Sequence, residues 1–116
     1  MSKLKRFDLA AIPEEDAGPP PDRILAGSPK ATYQLAAEHE GGKLSAGLWR
    51  SSAGSWRVAY AEWEFFQVLS GACELVGDDG ERMTLRAGDA IVVEPGFTGV
   101  FTVLEPMEKR FVIYEG

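Results

Sequence analysis

The sequence has one histidine and one cysteine among its 116 residues, and this scarcity restricts its chemistry. A single thiol, Cys73, cannot form an internal disulfide, and its place in an alternating apolar segment indicates a core side chain. Proteins bind transition metals mainly through imidazoles and thiolates, of which this chain has few. His39 lies in the polar segment Glu38-His39-Glu40-Gly41-Gly42, where a solvated loop residue is the simplest interpretation.

Long apolar runs are also missing, and the basic residues are scattered apart from the terminal cluster of Lys3, Lys5 and Arg6. No segment approaches the roughly 20 apolar residues of a membrane-spanning helix, and no apolar segment follows the basic start as a signal peptide would require. The 18 acidic residues outnumber the 12 basic ones, which gives a formal charge of −6. Nucleic-acid binding needs a concentrated positive surface. We therefore expect a cytosolic protein with no nucleic-acid or membrane partner.

What the sequence does contain is a series of short apolar segments separated by turn residues. Glycine, proline, serine and aspartate cluster between these segments, for example at Asp78-Asp79-Gly80 and Pro95-Gly96. No segment has the length and periodicity of a helix. The pattern predicts an all-β sandwich or barrel. The predicted strands are residues 33–37, 44–50, 56–60, 65–69, 73–76, 82–86, 90–93, 99–104 and 110–114.

The first 23 residues differ from the rest in composition. Pro13 and the run Gly18-Pro19-Pro20-Pro21 oppose helix formation and central-strand pairing, because proline lacks an amide donor and has a restricted backbone. We expect residues 1–23 to form an irregular, proline-rich arm. Residues 24–116 are then a single domain, of ordinary size for one hydrophobic core.

Two blocks of the domain resemble the two sequence motifs of the cupin superfamily. The blocks are residues 54–71 and 88–99. The family pattern has two histidines and a glutamate in the first block and a third histidine in the second. Here Glu64 matches the glutamate, whereas Val58, Tyr60 and Gly99 stand at the histidine positions. The resemblance implies a double-stranded β-helix (jelly-roll) barrel, and the loss of every imidazole predicts that it has no transition-metal cofactor.

Within the superfamily, the chain is most similar to the ureidoglycine-aminohydrolase-like branch of small cupins, many of which have no assigned activity. The named hydrolase activity, as the resemblance implies it, depends on a metal in a two-domain protein. We therefore do not expect that activity here. The matching positions are 47–49, 54–58, 64–65, 71, 79–81, 88–89, 95–99 and 109–113.

Strand parity predicts which side chains face the barrel interior, because successive residues point to opposite faces. Even positions around Glu64 and odd positions around Gly99 share the inner side. The result is an apolar, aromatic cavity with one carboxylate and one phenol, and the absent side chain of Gly99 is expected to enlarge one wall. The predicted lining is Trp49, Val58, Tyr60, Glu64, Phe66, Gly99 and Phe101.

Glu64 and Tyr60 are the candidate catalytic residues. A carboxyl group in an apolar cavity holds its proton more tightly, which suits proton transfer near neutral pH. A structural role fits the sequence equally well, with Glu64 bonded to Tyr60, Arg57 or Lys109. Tyr60 either orients a substrate or fills the barrel, and filling is the simpler role. Lys109 matches a basic position of the branch, and it is either a cavity cation for an anionic ligand or, more simply, an exposed charge.

Two functions of different classes remain open. The first is binding of a small polar metabolite in the barrel without a transition metal, with acid–base chemistry by Glu64 and Tyr60. The second is a non-catalytic barrel that senses a ligand or serves as an assembly module. A hard cation at Glu62 and Glu64 would need more oxygen ligands than this segment supplies. Exposed strand edges and the high aromatic content favour a homodimer.

Overall fold

Alternating apolar residues and glycine-rich turns produce nine β-strands in the computed structural model, which describes residues 2–116. The strands pair antiparallel in one curled sheet, and two 3-10 helices, Pro21–Arg23 and Glu40–Gly42, lie between them. The expected all-β architecture is confirmed. The strands are β1 (Glu15–Asp16), β2 (Ile24–Ala26), β3 (Ala31–His39), β4 (Leu44–Ser51), β5 (Gly54–Ala59), β6 (Trp63–Gly77), β7 (Arg82–Arg86), β8 (Ala90–Val93) and β9 (Thr98–Tyr114).

The long strands β6 and β9 form the spine of the sheet. They pair with each other along most of their lengths, while β4 and β5 pair with opposite halves of β9, and β7 and β8 with opposite halves of β6. The sequence predicts each long strand as two short ones, and that division is wrong. The register shifts between Val68 and Cys73, where Gly71 has φ +78°, so the break is a bulge that bends a continuous strand.

The core lies inside the curl, and the predicted parity holds. Glu64, Phe66 and Val68 of β6 are buried, whereas the odd positions between them are half-buried. On β9, Phe101 and Val103 are buried in the same way. Cys73 is fully buried in the same cluster, and His39 is exposed at the end of β3, as the sequence indicates.

The arm is more ordered than predicted. Strand β1 pairs with β3, and the amide N–H of Ala17 donates to the carbonyl of Ala31 (2.9 Å). The Gln34 side-chain amide donates to the carbonyls of Leu9 (3.0 Å) and Ile12 (2.7 Å). Because the short runs between the prolines keep backbone donors and acceptors, the arm adds β1 at the edge of the sheet beside β3 and contacts Gln34. The division between arm and domain stays a prediction.

One part of the outer face remains partly uncovered. Phe65 pairs with Val92 on one side and with Val112 on the other, and the row next to it pairs Trp63 with Tyr114. Val92 is 44% exposed and Tyr114 is 41% exposed. Within the described residues, no helix has the length and apolar character needed to cross a membrane.

Candidate functional site

The inside of the curled sheet contains a cavity of about 640 Å³. Its walls are mainly apolar and aromatic, with Trp49 of β4, Trp56 of β5 and Phe101 of β9 packed against one another at centroid separations of 5.3–6.2 Å. The arm contributes to the rim through Pro19, Pro20 and Arg23. A concave, largely apolar space with a few polar groups is the usual form of a small-molecule site.

A buried ion pair lies in this cavity. The Lys109 Nζ donates a hydrogen bond to the Glu64 Oε2 at 3.0 Å, and the two side chains are only 7% and 6% exposed. Both side chains lie on the inner face of their strands. Glu64 is on β6, and Lys109 is on β9, where it pairs with Val68. Removing two charges from water costs several kcal/mol each, so the pair persists only because each charge neutralises the other.

Aromatic rings surround the ammonium group of Lys109. The Nζ atom lies 4.0 Å from the ring centroid of Phe66, 4.7 Å from that of Trp49 and 5.3 Å from that of Phe101. The negative faces of such rings attract a cation, most strongly where water is excluded. The rings and Glu64 therefore hold a positive charge at a defined position in the cavity.

Tyr60 supplies a neutral hydroxyl near the pair. It follows β5, and its backbone is fixed by hydrogen bonds to Phe97 (2.9 Å) and from Gly96 (2.7 Å). Burial raises the pKa of the Tyr60 hydroxyl well above its ordinary value, and the charge of Glu64 raises it further. The phenol therefore keeps its proton at neutral pH and can donate a hydrogen bond.

The charges around the cavity nearly balance. Arg57 borders the cavity, but its guanidinium is paired with both carboxylate oxygens of Asp78 at 2.9 Å, so it adds little net charge to the space. Apart from Arg57, three acidic and two basic side chains line the cavity, which gives a formal charge of −1. The five are Arg23, Glu38, Glu62, Glu64 and Lys109.

Most of the predicted lining is observed. Trp49, Val58, Tyr60, Glu64 and Phe101 all border the cavity. Their roles as catalytic or binding residues remain predictions. The bonding of Glu64 to Lys109, one of the alternatives that the sequence leaves open, is the arrangement found.

The interpretation of Lys109 as an exposed charge is wrong. The odd positions Phe101 and Val103 continue in register as Met107, Lys109 and Phe111, all buried. The predicted strand 99–104 ends before Met107, because Pro106 lies just after this strand in the sequence. Extending the parity of β9 past the proline would have placed Lys109 and Phe111 in the cavity wall.

Two further predictions of the lining need correction. Phe66 is fully buried beneath Lys109 and does not border the cavity. Gly99 does not enlarge a wall, because a Cβ atom there would lie 2.1 Å from the carbonyl oxygen of Val76. The backbone of β6 fills the space that the missing side chain leaves.

The residues present do not fit the transition-metal site of related barrels. The carboxylate of Glu64 is directed at Lys109, and Val58 has no donor atom. Across residues 2–116, no three His, Cys, Asp or Glu side chains are grouped so that they could hold a metal ion. The charge partner that Glu64 has in this structure is the ammonium group of Lys109.

The stability of the protein at alkaline pH tests whether the Cys73 thiol is buried. Burial raises the pKa of the Cys73 thiol from 9.0 to about 11, with the positive charge of Lys109 opposing the shift. The unfolded chain loses the thiol proton near pH 9, whereas the folded protein holds it until about pH 11. The free energy of unfolding therefore falls as the pH rises from 9 to 11. We expect a loss of about 2 kcal/mol by pH 11, which is measured as the change in free energy of urea unfolding.

The matched control for this experiment is Cys73→Ala, which is less stable at every pH but lacks the titrating thiol. We expect its stability to fall less steeply than that of the parent between pH 9 and 11. Equal slopes in the two proteins would contradict the assignment of a buried, neutral thiol.

Solved structures share this fold. A protein of unknown function of the DUF861 family from Pseudomonas syringae pv. tomato has a TM-score of 0.80 at 20% identity, covering 92% of this chain and 46% of that one. The EutQ protein of Clostridium difficile has a TM-score of 0.67 at 18% identity, covering 77% and 65%. A putative ethanolamine utilization protein from Salmonella typhimurium has a TM-score of 0.66 at 18% identity, covering 74% and 70%. At these identities the likeness establishes the fold alone.

This chain therefore spans less than half of the length of the Pseudomonas protein. No curated protein sequence matches it. Another solved neighbour, a cupin superfamily protein from Desulfitobacterium hafniense, has a TM-score of 0.63 at 11% identity and covers 74% of this chain and 78% of that one. The predicted jelly-roll barrel of the cupin type is thus confirmed.

The family model of the EutQ-like cupin domain matches residues 38–111, more than half of the chain. The matched segment extends from the end of β3 to Phe111 and includes Tyr60, Glu64 and Lys109. The finer assignment to the ureidoglycine-aminohydrolase-like branch stays a prediction. The chain belongs to the EutQ-like cupin family.

Proposed function

We propose that this barrel binds a small polar metabolite in its central cavity without a transition metal, and that Glu64 and Tyr60 contact the ligand. The observation that carries the proposal is the buried pair of Glu64 and Lys109 at 3.0 Å, with Tyr60 close by, inside a cavity of about 640 Å³. Polar groups at the base of an apolar cavity are the arrangement by which proteins orient small ligands.

The same groups support acid–base chemistry on the bound metabolite. Glu64 accepts a hydrogen bond from Lys109 and can exchange a proton with it, while the protonated Tyr60 can donate to a ligand oxygen. The near balance of charge around the cavity favours uncharged or zwitterionic nitrogen compounds, such as ureides, over strongly charged ones. Ethanolamine also belongs in the ligand panel, because one structural neighbour carries the name of an ethanolamine utilization protein.

Ligand titration tests the proposal. A panel of ureides, amino acids and amino alcohols is screened by thermal shift, and hits are measured by calorimetry. We expect Glu64→Gln to weaken binding by about 10–100-fold, because a hydrogen bond to a charged group contributes about 1.5–3 kcal/mol. Tyr60→Phe should weaken it by several-fold, about 0.5–1.5 kcal/mol.

Matched controls are available on the surface of the same chain. Glu94→Gln lies in an exposed turn and Tyr114→Phe on the outer face of β9, so both should bind as the parent does. Circular dichroism verifies that every variant is folded. If Glu64→Gln and Tyr60→Phe also bound as the parent does, the site would lie elsewhere.

A second candidate function is a non-catalytic assembly module, favoured by a partly exposed apolar row on the outer face. Phe65, Val92 and Val112 are adjacent across three strands, and Val92 is 44% exposed. A second copy packed against this row would give the expected homodimer. Light scattering that finds only monomer at micromolar concentration would count against it.

A further inference from the structure

Lys109 differs from the other lysines of the chain in its surroundings. Lys3, Lys5, Lys30 and Lys43 are exposed, whereas Lys109 is 5% exposed and lines the cavity. A lysine amine in an apolar pocket is the group that proteins use to attack carbonyl carbons. The surroundings of Lys109 therefore suit carbonyl chemistry better than those of any exposed lysine.

We propose that Lys109 captures an aldehyde or ketone in the cavity as a protonated imine, with Glu64 as the proton shuttle. The inference rests on the proposed function, since the carbonyl compound would occupy the same cavity. It adds a chemical class of ligand and a reversible covalent step.

The step balances without any further reactant. The ammonium of Lys109 passes one proton to the Glu64 carboxylate, and the free amine attacks the carbonyl carbon, forming the C–N bond. A second nitrogen proton and the proton on Glu64 pass to the carbonyl oxygen, which leaves as water. The product is the iminium ion of Lys109 and the carboxylate of Glu64.

The geometry supports the transfer in both directions. The Nζ of Lys109 is 3.0 Å from the Glu64 Oε2, within the range for direct proton transfer. The hydroxyl of Tyr60, held in its protonated form beside Glu64, can donate to the carbonyl oxygen and polarise it. Glu64 thus moves the proton, and Tyr60 activates the carbonyl group.

The charge of the site is the same before and after the reaction. Lys109 is an ammonium ion before the reaction and an iminium ion after it. Glu64 and the surrounding rings therefore face one positive charge at both stages; the rings are those of Trp49, Phe66 and Phe101. The environment that stabilises the lysine also stabilises its adduct. The Lys109 side chain is only 7% exposed, which limits the access of water that would hydrolyse the imine.

Stability alone does not explain why the pair is present. Replacing a buried ion pair by apolar residues of similar volume is often neutral or stabilising in proteins. An apolar pair at positions 64 and 109 would continue the core of β6 and β9 without desolvating two charges. Packing alone therefore does not account for a charged pair on the cavity wall, whereas a chemical role does.

Reductive trapping tests the inference. The protein is incubated with propanal, acetone, glyoxylate or pyruvate, reduced with cyanoborohydride and analysed by peptide mass spectrometry. We expect at least one of these compounds to modify Lys109 faster than the exposed Lys43 of the same chain. Because the comparison is internal to the unmutated protein, it does not depend on the folding of a variant.

Three variants complete the experiment. Lys109→Arg keeps the charge opposite Glu64 and should abolish trapping in the cavity, while the matched Lys43→Arg should leave it unchanged. Glu64→Gln should slow trapping at Lys109 by about a hundredfold, the typical effect of losing a general acid–base group.

Failure of this inference is distinguishable from failure of the proposed function. Modification of the exposed lysines alone, with Lys109 unmodified by all four compounds, would overturn the imine. If ligand titration still detected binding that depends on Glu64, the cavity would remain a non-covalent site. If titration also found no such binding, both proposals would be wrong.

Discussion

Lys109→Met should lower the free energy of unfolding by about 3–5 kcal/mol at neutral pH. Methionine keeps most of the volume and the packing against Phe66, but it removes the ammonium that pairs with Glu64 at 3.0 Å. A carboxylate that is 6% exposed is then left without a charge partner in an apolar wall. Urea unfolding followed by the fluorescence of the cavity tryptophans measures the loss.

Two control proteins make this result specific. The double variant Glu64→Gln/Lys109→Met removes both charges and should recover most of the lost stability, because no unpaired charge remains buried. Arg82→Met breaks a pair with Glu74 of similar length, 3.1 Å, in which the arginine side chain is 64% exposed. That change should cost less than about 1 kcal/mol. A Lys109→Met variant as stable as Arg82→Met would mean that the cavity pair is effectively solvated.

Gly99→Ala should destabilise the protein by about 3 kcal/mol, at the upper end of the range for overpacking. Its Cβ atom would lie 2.1 Å from the Val76 carbonyl oxygen and 2.9 Å from the Cα of Gly77, so the backbones of β6 and β9 must separate. Thermal and urea unfolding measure the effect. Gly99 thus permits the close packing of β9 against β6.

Gly80→Ala is the matched control for this substitution. Gly80 has φ +92°, and a methyl group added there would have no neighbouring atom within 4 Å, so alanine meets backbone strain but no steric clash. The expected cost is about 1 kcal/mol. If Gly99→Ala cost no more than Gly80→Ala, the close approach of β6 to β9 would be wrong, and Gly99 would again be a candidate for the cavity wall.

The strands and the inner face of the barrel could be predicted because they depend on local patterns. Two-residue alternation identified Glu64 and Phe101 as inward-facing, and the glycine-rich turns gave most of the strand ends. The spacing around Glu64 was enough to identify the superfamily. These signals need only neighbouring residues, so a single sequence contains them.

Lys109 and Gly99 were not placed correctly from these patterns, for two physical reasons. Lys109 lies beyond Pro106, and a proline that ordinarily ends a strand here sits within a continuous one, among register shifts. Gly99 depends on how closely two distant strands approach, which sequence spacing does not report. The pairing of Lys109 with Glu64 likewise joins residues that are 45 positions apart in the sequence, so local patterns do not report it.

The ion pair gives a physical reason why Glu64 can be buried in a barrel that has no histidine at positions 58, 60 and 99. Lys109 supplies the positive neighbour that Glu64 would otherwise find in a metal ion, and the rings of Trp49 and Phe66 add to the stabilisation of that cation. Paired in this way, the Glu64 carboxylate can still accept further hydrogen bonds.

Elemental analysis of the purified protein tests this account most directly. With Glu64 paired to Lys109 and no imidazole at positions 58, 60 and 99, we predict no stoichiometric zinc, iron, manganese, copper or nickel. Glu64→Gln should then leave the metal content unchanged. One equivalent of metal in the parent protein, lost in Glu64→Gln, would show that Glu64 is a metal ligand and would contradict the account.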